Sequence, residues 1–251
     1  MNYVEVEEAI GLPGLRLVLS AGVPGPWGES AKYILHAKRI PYTAVRQLAG
    51  TESEALRRWT GQSNAPIAVY GSESPRSGWA EILALAERLA PEPSLVPEDP
   101  AQRVRMFGLS HEICAEGGFG WQRRLMLIAA LGTGNDVTRT LARRYGYNDA
   151  ATAAAPGRTA EILLLLSKQL RAQRALGSPY FVGERLSALD LYWAAFALML
   201  EPLGDDHCKL HPRLRESYAL RDAAVRAAAD EILLEHRDFI YRTHLALPLD
   251  F

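Results

Sequence analysis

With 251 residues, 48% of them hydrophobic, the chain is long enough to bury the core of one large domain or of two ordinary ones. Its 28 basic and 29 acidic residues leave a formal net charge of -1, so no overall field attracts nucleic acid or an anionic membrane. We therefore expect neither nucleic acid nor a membrane as a partner.

The N-terminal stretch, residues 1–14, is acidic and lacks the basic-then-apolar pattern of a secretion signal. The apolar run Tyr192–Gly204 is too short to cross a bilayer. The two cysteines, Cys114 and Cys208, match neither a disulfide framework nor a zinc spacing, so we interpret them as buried thiols. These features predict a soluble protein of a reducing compartment, the cytoplasm, with residues 1–14 as an N-terminal extension.

Residues 15–90 alternate short β-branched runs with helical patterns. The three predicted strands lie within Leu15–Gly22, Tyr42–Leu48 and Ala65–Gly71, each bounded by turn signals. The three predicted helices lie within Pro26–Lys38, Ser53–Gly61 and Gly78–Pro91, where apolar residues recur at helical spacing. The order β-α-β-α-β followed by a helix predicts an α/β domain.

Residues 91–100 contain four prolines, which no helix interior tolerates, and we interpret them as a domain linker. Residues 101–251 are predicted to be an all-helical domain with a C-terminal extension. Its clearest helices lie within Ala101–Ile113, Trp121–Leu131, Gly157–Leu176 and Glu184–Leu200. The alanine-rich stretch Asp149–Gly157 is interpreted as a loop or a helix end.

The last of these helices begins with the spacing of a capping box. Ser187 is expected to accept a hydrogen bond from the backbone N–H of Asp190, while the Asp190 carboxylate reaches back to Ser187. The helix that follows is apolar on all sides, which is typical of a helix at the centre of a domain.

Three stretches resemble motifs of the soluble glutathione transferase superfamily, in the family's order and over nearly the whole chain. They are GPWGESAKYILHAKRIPY from Gly25 to Tyr42, NAPIAVY from Asn64 to Tyr70, and PYFVGERLSALD from Pro179 to Asp190. The resemblance implies an α/β plus all-α fold, with a thioredoxin-like N-terminal domain followed by a helical-bundle domain. It also implies glutathione as cosubstrate, a homodimer, and a cis peptide bond before Pro66.

The first motif lacks both the cysteine nucleophile and the hydroxyl that usually donates a hydrogen bond to the glutathione thiolate in this family. Gly25 and Gly28 occupy the positions where relatives carry serine or cysteine, which disfavours thiol-disulfide exchange. Our hypothesis is that backbone N–H groups of Gly25 and Trp27, at a helix N-terminus, stabilise the glutathione thiolate. The alternative is a degenerate loop in which Trp27 only packs. Ser20, at a strand end, is a further catalytic candidate, or else it only satisfies a turn.

The residues expected to bind glutathione surround the second motif. The resemblance assigns Ala65 and Pro66 to pairing with the main chain of glutathione, and Ser77 to the γ-glutamyl group. Arg76 stands where many relatives have an acidic residue beside that serine. Gln62 and Asn64 are expected to contact the glycine end of glutathione, unless they only stabilise the turn.

The pocket for the electrophile is expected between the two domains. Phe107, His111, Trp121 and Arg124 would combine aromatic walls with a titratable and a cationic group, as suits an apolar pocket with a few polar anchors. His111 could equally be structural, and Arg124 could belong to a solvated face or a dimer contact. The C-terminal segment is expected to pack over the same cleft.

No metal site is expected. His236 and His244 have no third ligand, and the cluster of His207, Cys208 and His211 matches no zinc spacing. The prediction is therefore a glutathione-dependent transferase that acts on a small hydrophobic electrophile. The reaction would be conjugation, dehalogenation, ether cleavage or isomerisation. The rival interpretation is a noncatalytic module of the same fold that binds a ligand or a protein with a degenerate site.

Overall fold

A three-stranded mixed sheet organises the first part of the computed structural model, which describes residues 1–251. The strand order is β2-β1-β3, with β1 parallel to β2 and antiparallel to β3. In chain order the elements are α1 (Val6–Ala9), β1 (Leu15–Ser20), α2 (Pro26–Ala37), β2 (Thr43–Gln47), α3 (Glu54–Thr60), β3 (Ile67–Tyr70) and α4 (Trp79–Leu89). All three predicted strands and all three predicted helices are present.

Proline and glycine set the ends of these helices. Pro26 is the first helical residue of α2, where its missing N–H has no intrahelical partner to lose. Helix α3 is capped by the Ser53 hydroxyl and ends at Gly61, whose left-handed backbone, φ 72°, is easy for glycine alone. These local signals are why the sequence predicted the boundaries within a few residues.

The second part of the chain contains only helices. They are α5 (Pro100–Cys114), α6 (Phe119–Leu131), α7 (Asp136–Arg144), α8 (Asp149–Ala175), α9 (Ala188–Phe196) with a 3-10 turn at Ala197–Met199, α10 (Pro212–Ser217), α11 (Ala223–Ala228) and α12 (Glu231–His244). Every residue of α9 is buried, as its apolar sequence predicted, and α9 packs against α2, α5 and α12. The predicted fold class is confirmed. The domain boundaries 15–90, 91–100 and 101–251 remain a prediction, although residues 91–99 form no helix between α4 and α5.

Two local predictions were confirmed only in part. The stretch Asp149–Gly157 is not a loop, because α8 continues through Pro156 as one helix of 27 residues. Pro156 lies inside the helix and removes one backbone hydrogen bond, a cost that the helix-favouring alanines before it help to offset. At α9, the Asp190 carboxylate reaches back to Ser187 as predicted, and it accepts from the Ser187 N–H at 2.9 Å. The Ser187 hydroxyl donates to the same carboxylate at 2.8 Å.

The two ends of the chain lie beside α2. Val4 pairs with Val45 of β2, so the N-terminal residues extend the sheet. The backbone carbonyl of Asp250 accepts a hydrogen bond from the Lys32 ammonium at 2.6 Å. The C-terminal segment therefore packs against α2 and does not line the cleft described below, contrary to the prediction. None of the helices combines the length and the apolar character that a bilayer crossing requires.

Candidate functional site

A cavity of about 820 Å3 separates the sheet domain from the helices. One wall comes from the loop after β1, the start of α2 and the segment before β3. The other comes from the end of α5, from α6 and from α7. A cleft with walls from two domains is the usual setting for a small-molecule site.

The start of α2 presents free backbone donors, but not at the two positions that the sequence predicted. The N–H of Gly25 donates to the carbonyl of Val23 at 2.9 Å, so Gly25 was wrong as a donor. The N–H groups of Trp27 and Gly28 have no partner, and no side chain caps the helix. Both residues line the cavity. Because the helix dipole adds positive potential there, this end of α2 suits an anionic atom such as a thiolate.

The Trp27 side chain joins the two domains. Its indole N–H donates to the carbonyl of Cys114, at the end of α5, at 2.8 Å. Its ring meets Phe196 of α9 edge-on, with ring centroids 5.0 Å apart. A Cβ on Gly120 would clash with Phe196 and lie 3.1 Å from the Trp27 ring, so α6 approaches this cluster closely because residue 120 lacks a side chain. Trp27 is therefore a fixed wall of the cavity.

Ser20 lines the cavity, but its hydroxyl proton already takes part in a hydrogen bond within the protein. The Ser20 hydroxyl donates to the side-chain oxygen of Gln47 at 3.0 Å, and the Gln47 amide donates to the carbonyl of Leu48. A hydroxyl held in this way cannot donate to a thiolate unless it breaks the bond to Gln47. The geometry thus favours the structural interpretation of Ser20.

The residues predicted to bind glutathione lie together on one side of the cavity. They are Gln62, Asn64, Ala65, Pro66 and Ser77. The Ala65–Pro66 peptide bond is cis. A residue that the sequence did not reveal, Arg144 at the end of α7, donates to the Ser63 hydroxyl at 3.1 Å and to Glu52 at 3.2 Å. Arg144 therefore ties this segment to the helical domain.

The acidic side chains nearest Ser77 are engaged by other groups. Arg76 pairs with Glu73 at 2.6 Å, and the Glu81 carboxylate accepts from the N–H of Gly78 as a helix cap. The only carboxylates in the cavity wall are those of Glu29 and Glu116. Burial raises the pKa of Glu29, although its ion pair with Lys32, at 2.9 Å, opposes that shift.

The helical side of the cavity is mainly apolar and aromatic. Trp121 and Tyr145 pack with ring centroids 4.7 Å apart, and the Arg124 guanidinium lies over Tyr145 at 5.7 Å. Leu127, Leu131, Leu141, Leu214 and Tyr218 complete this wall. Tyr145 and Tyr218 belong to stretches in which the sequence shows no motif, so nothing in the pattern could have identified them.

Phe107 and His111 were wrong as pocket residues. Phe107 packs against Trp79 with centroids 6.3 Å apart, and His111 is exposed on α5 outside the cavity. The reason is the phase of α5, because only the end of this helix, from Cys114 onward, reaches the cleft. Sequence spacing fixes which residues share a helix face but not which neighbour that face meets.

The histidines and cysteines lie in several separate parts of the fold. No group of three His, Cys, Asp or Glu side chains is close enough together to hold a metal ion. His236 lies 3.0 Å from the buried Asp190 carboxylate, and His244 bonds to the Tyr180 hydroxyl at 3.1 Å. Burial raises the pKa of both Cys114 and Cys208, to about 11 for Cys208, so neither is an activated thiol.

No protein-family model matches the chain, and no curated protein matches its sequence. Solved structures do match it. A glutathione S-transferase from Methylobacterium radiotolerans, in complex with glutathione sulfonate, has a TM-score of 0.64 at 17% identity, over 91% of each chain. A glutathione transferase from Pseudomonas putida, with one glutathione disulfide bound per subunit, has a TM-score of 0.63 at 17% identity, over 95% of this chain and 93% of its own.

A third match is the beta-etherase LigF from Sphingobium sp. strain SYK-6, with a TM-score of 0.59 at 16% identity, over 90% of this chain and 99% of its own. Because each match covers at least 90% of this chain, it includes both the sheet domain and the helices. At such low sequence identity, the matches show that the fold is shared. The chain has the two-domain fold of the glutathione transferases, with a thioredoxin-like domain followed by a helical domain.

Proposed function

We propose that the protein is a glutathione-dependent transferase that acts on a hydrophobic electrophile. The observation that carries this proposal is the pair of free N–H groups at Trp27 and Gly28, which lie in the same cavity as the segment Gln62–Pro66. The solved relatives that bind glutathione or its derivatives support the choice of thiol.

In this proposal, the residues around Pro66 pair with the main chain of glutathione, and Ser77 receives its γ-glutamyl end. The sulfur then lies at the N-terminus of α2. There the two N–H groups and the helix dipole favour the thiolate over the thiol, which lowers the thiol pKa towards neutrality. The chain's own cysteines take no part, because both are buried and protonated.

The electrophile would bind against Trp121, Tyr145 and the leucines of the helical wall, directly across the cavity. The thiolate sulfur forms a bond to the electrophilic carbon, and the leaving group departs with the electron pair of the bond that breaks. Holding the two reactants side by side supplies much of the acceleration. Conjugation, dehalogenation, ether cleavage and isomerisation can all begin with this attack.

The experiment that tests the proposal is a calorimetric titration with reduced glutathione and then with glutathione disulfide. It is paired with an ultraviolet titration of the bound thiolate. We expect saturable binding of the reduced form and a bound thiol pKa about 1 to 2 units below the ordinary value of about 8.5. Absence of binding up to several millimolar would instead support the noncatalytic module, which the missing hydroxyl or thiol at Gly25 and Gly28 favours.

We further propose a homodimer in the cytoplasm, as the resemblance implies. Sedimentation that shows only a 27.7 kDa species would refute the dimer. Fractionation of the source cells tests the location independently.

A further inference from the structure

The cavity contains one cation that no carboxylate balances. The Nε atom of Arg124 is buried and has no hydrogen-bond partner. Arg124 itself is half-buried and lines the cavity, midway along α6. Its guanidinium neighbours the Tyr145 and Tyr218 hydroxyls, which are neutral, so its charge has no counter-ion in the protein.

The other charges of the cavity wall are accounted for. Arg144 is paired with Glu52 at 3.2 Å, and Glu29 is paired with Lys32 at 2.9 Å. Glu116, the remaining carboxylate, lies within ion-pair distance of no cation. No carboxylate of the protein therefore balances the charge of Arg124, and an anionic group bound in the cavity can do so.

The surroundings of Arg124 favour an aromatic ligand. Its guanidinium lies over the Tyr145 ring at 5.7 Å, and Trp121 packs against that ring at 4.7 Å. Leu127 and Leu131, on the same helix, add apolar surface. A flat ring can pack on these walls while an acidic substituent meets the guanidinium.

We propose that Arg124 is a specificity residue that selects aromatic electrophiles with an anionic substituent, such as a carboxylate. This inference rests on the proposed function and names its substrate class. The carboxylates of glutathione are a poorer match, because the predicted glutathione residues lie on the sheet domain and the cation that reaches their segment is Arg144. Arg124 belongs to the aromatic wall of the other domain.

The proposal is tested first by binding of two unreactive compounds that differ only in charge, 4-methyl-3-nitrobenzoate and 4-methyl-3-nitrobenzamide. Calorimetry with the full-length protein should show the benzoate binding about 10- to 100-fold more tightly than the benzamide, the range expected for one charge-assisted pair. Arg124→Gln should remove this preference, and Arg124→Lys should restore part of it. Arg105→Gln removes an exposed, unpaired arginine of α5 outside the cavity and should leave the preference intact.

Turnover of the matched chloro compounds, 4-chloro-3-nitrobenzoate and 4-chloro-3-nitrobenzamide, extends the test. Sulfur replaces chloride on the ring, chloride leaves with the bonding pair, and the thiol proton passes to solvent. Arg124→Gln should lower kcat/KM for the benzoate by about 10- to 100-fold, mainly through KM, and for the benzamide by less than about 3-fold.

The two proposals fail in different ways. If glutathione binds but the wild-type protein shows no preference for the benzoate, the inference about Arg124 is overturned and the proposed function stands. If the benzoate is preferred but glutathione does not bind, the proposed function falls and the anion site stands. Weaker glutathione binding in Arg124→Gln would also overturn the inference, because Arg124 would then serve glutathione. A preference for the benzoate that persists in Arg124→Gln would also overturn the inference, and Arg124→Lys gives the same comparison if Arg124→Gln does not fold.

Discussion

The indole N–H of Trp27 crosses the cleft and donates a hydrogen bond to the backbone carbonyl of Cys114 at 2.8 Å. This bond joins the loop that begins α2 to the end of α5, and both ends of it line the cavity. Together with the packing of α2 against α9, this hydrogen bond therefore fixes the position of the free N–H groups at Trp27 and Gly28 relative to the helical wall.

Trp27→Phe keeps an aromatic ring against Phe196 but removes the bond to Cys114. We expect the free energy of unfolding to fall by about 1 to 2 kcal/mol, because a partly buried carbonyl loses its donor. Urea unfolding followed by far-ultraviolet circular dichroism measures this. Trp59→Phe, on α3 and outside the cavity, is the matched control. An unchanged unfolding midpoint and unchanged glutathione affinity would show that the bond does not hold the domains.

Ser20→Ala separates the structural from the catalytic interpretation of this hydroxyl. We expect turnover within about twofold of wild type, because the hydroxyl is committed to Gln47, and a stability loss of about 1 kcal/mol. Steady-state kinetics and urea unfolding give the two quantities. Ser30→Ala, which also deletes a hydroxyl bonded within the fold, controls for stability. A drop of about 100-fold in kcat would make Ser20 the thiolate donor after all.

Arg144→Ala releases the segment before Pro66 from the helical domain. Glutathione affinity should fall by about 3- to 10-fold, because ordering Gln62, Ser63 and Asn64 would then cost part of the binding free energy. Calorimetry measures the affinity. The neighbouring Arg143→Ala deletes an exposed arginine that only reaches Thr140, at 3.5 Å, and should have no such effect. Equal affinities in both variants would contradict the role of Arg144.

Glu116 is the one cavity carboxylate without an ion pair, so we expect it to attract the ammonium of a bound γ-glutamyl group. Glu116→Gln should weaken binding of glutathione by about 3- to 10-fold but not of N-acetylglutathione, which lacks the ammonium. Calorimetric titration of both ligands into both proteins gives the coupling free energy. Glu184→Gln, exposed and outside the cavity, is the control. A coupling free energy of zero would exclude the pairing.

The buried Glu29 should make stability depend on pH. Burial raises the pKa of Glu29, so the folded protein holds a proton on it that the unfolded chain has released above about pH 4.3. Its favourable contribution is thus present below that pH and is lost as the pH rises through the folded pKa. Relative to Glu29→Gln, the wild type should lose stability as the pH rises from about 4.3 through the raised folded pKa. Parallel urea unfolding curves at a series of pH values test this, and a difference between the two proteins that does not change with pH would contradict it.

The sequence predicted most of the fold because the residues that start and end its helices and strands act locally. Pro26 and Gly61 mark the start and end of helices through backbone geometry alone, and the three strands are short β-branched runs between turns. The wrong prediction at Asp149–Gly157 has the opposite cause. The proline there suggested a break, but the packing of α8 against α6 and α11 maintains the helix through it.

The candidate site could be predicted only in part. Trp121 and Arg124 lie in the cavity, whereas Phe107 and His111 do not, because the orientation of α5 depends on its packing against α9 rather than on spacing. The N–H of Gly25 is used by a turn bond to Val23 that no residue pattern reveals. Arg144 contributes through long-range contacts, which a single sequence does not encode locally.

Gly120 has a consequence for how substrate range can change. Since a side chain at this position would push against Phe196 and Trp27, α6 would have to shift, and Trp121 and Arg124 would shift with it. The distance between the thiol site and the aromatic wall thus depends on the absence of a side chain at residue 120. A small side chain at residue 120 would change the distance from the sulfur to the aromatic wall, and with it the length of electrophile that fits. No residue that contacts the electrophile would need to be replaced.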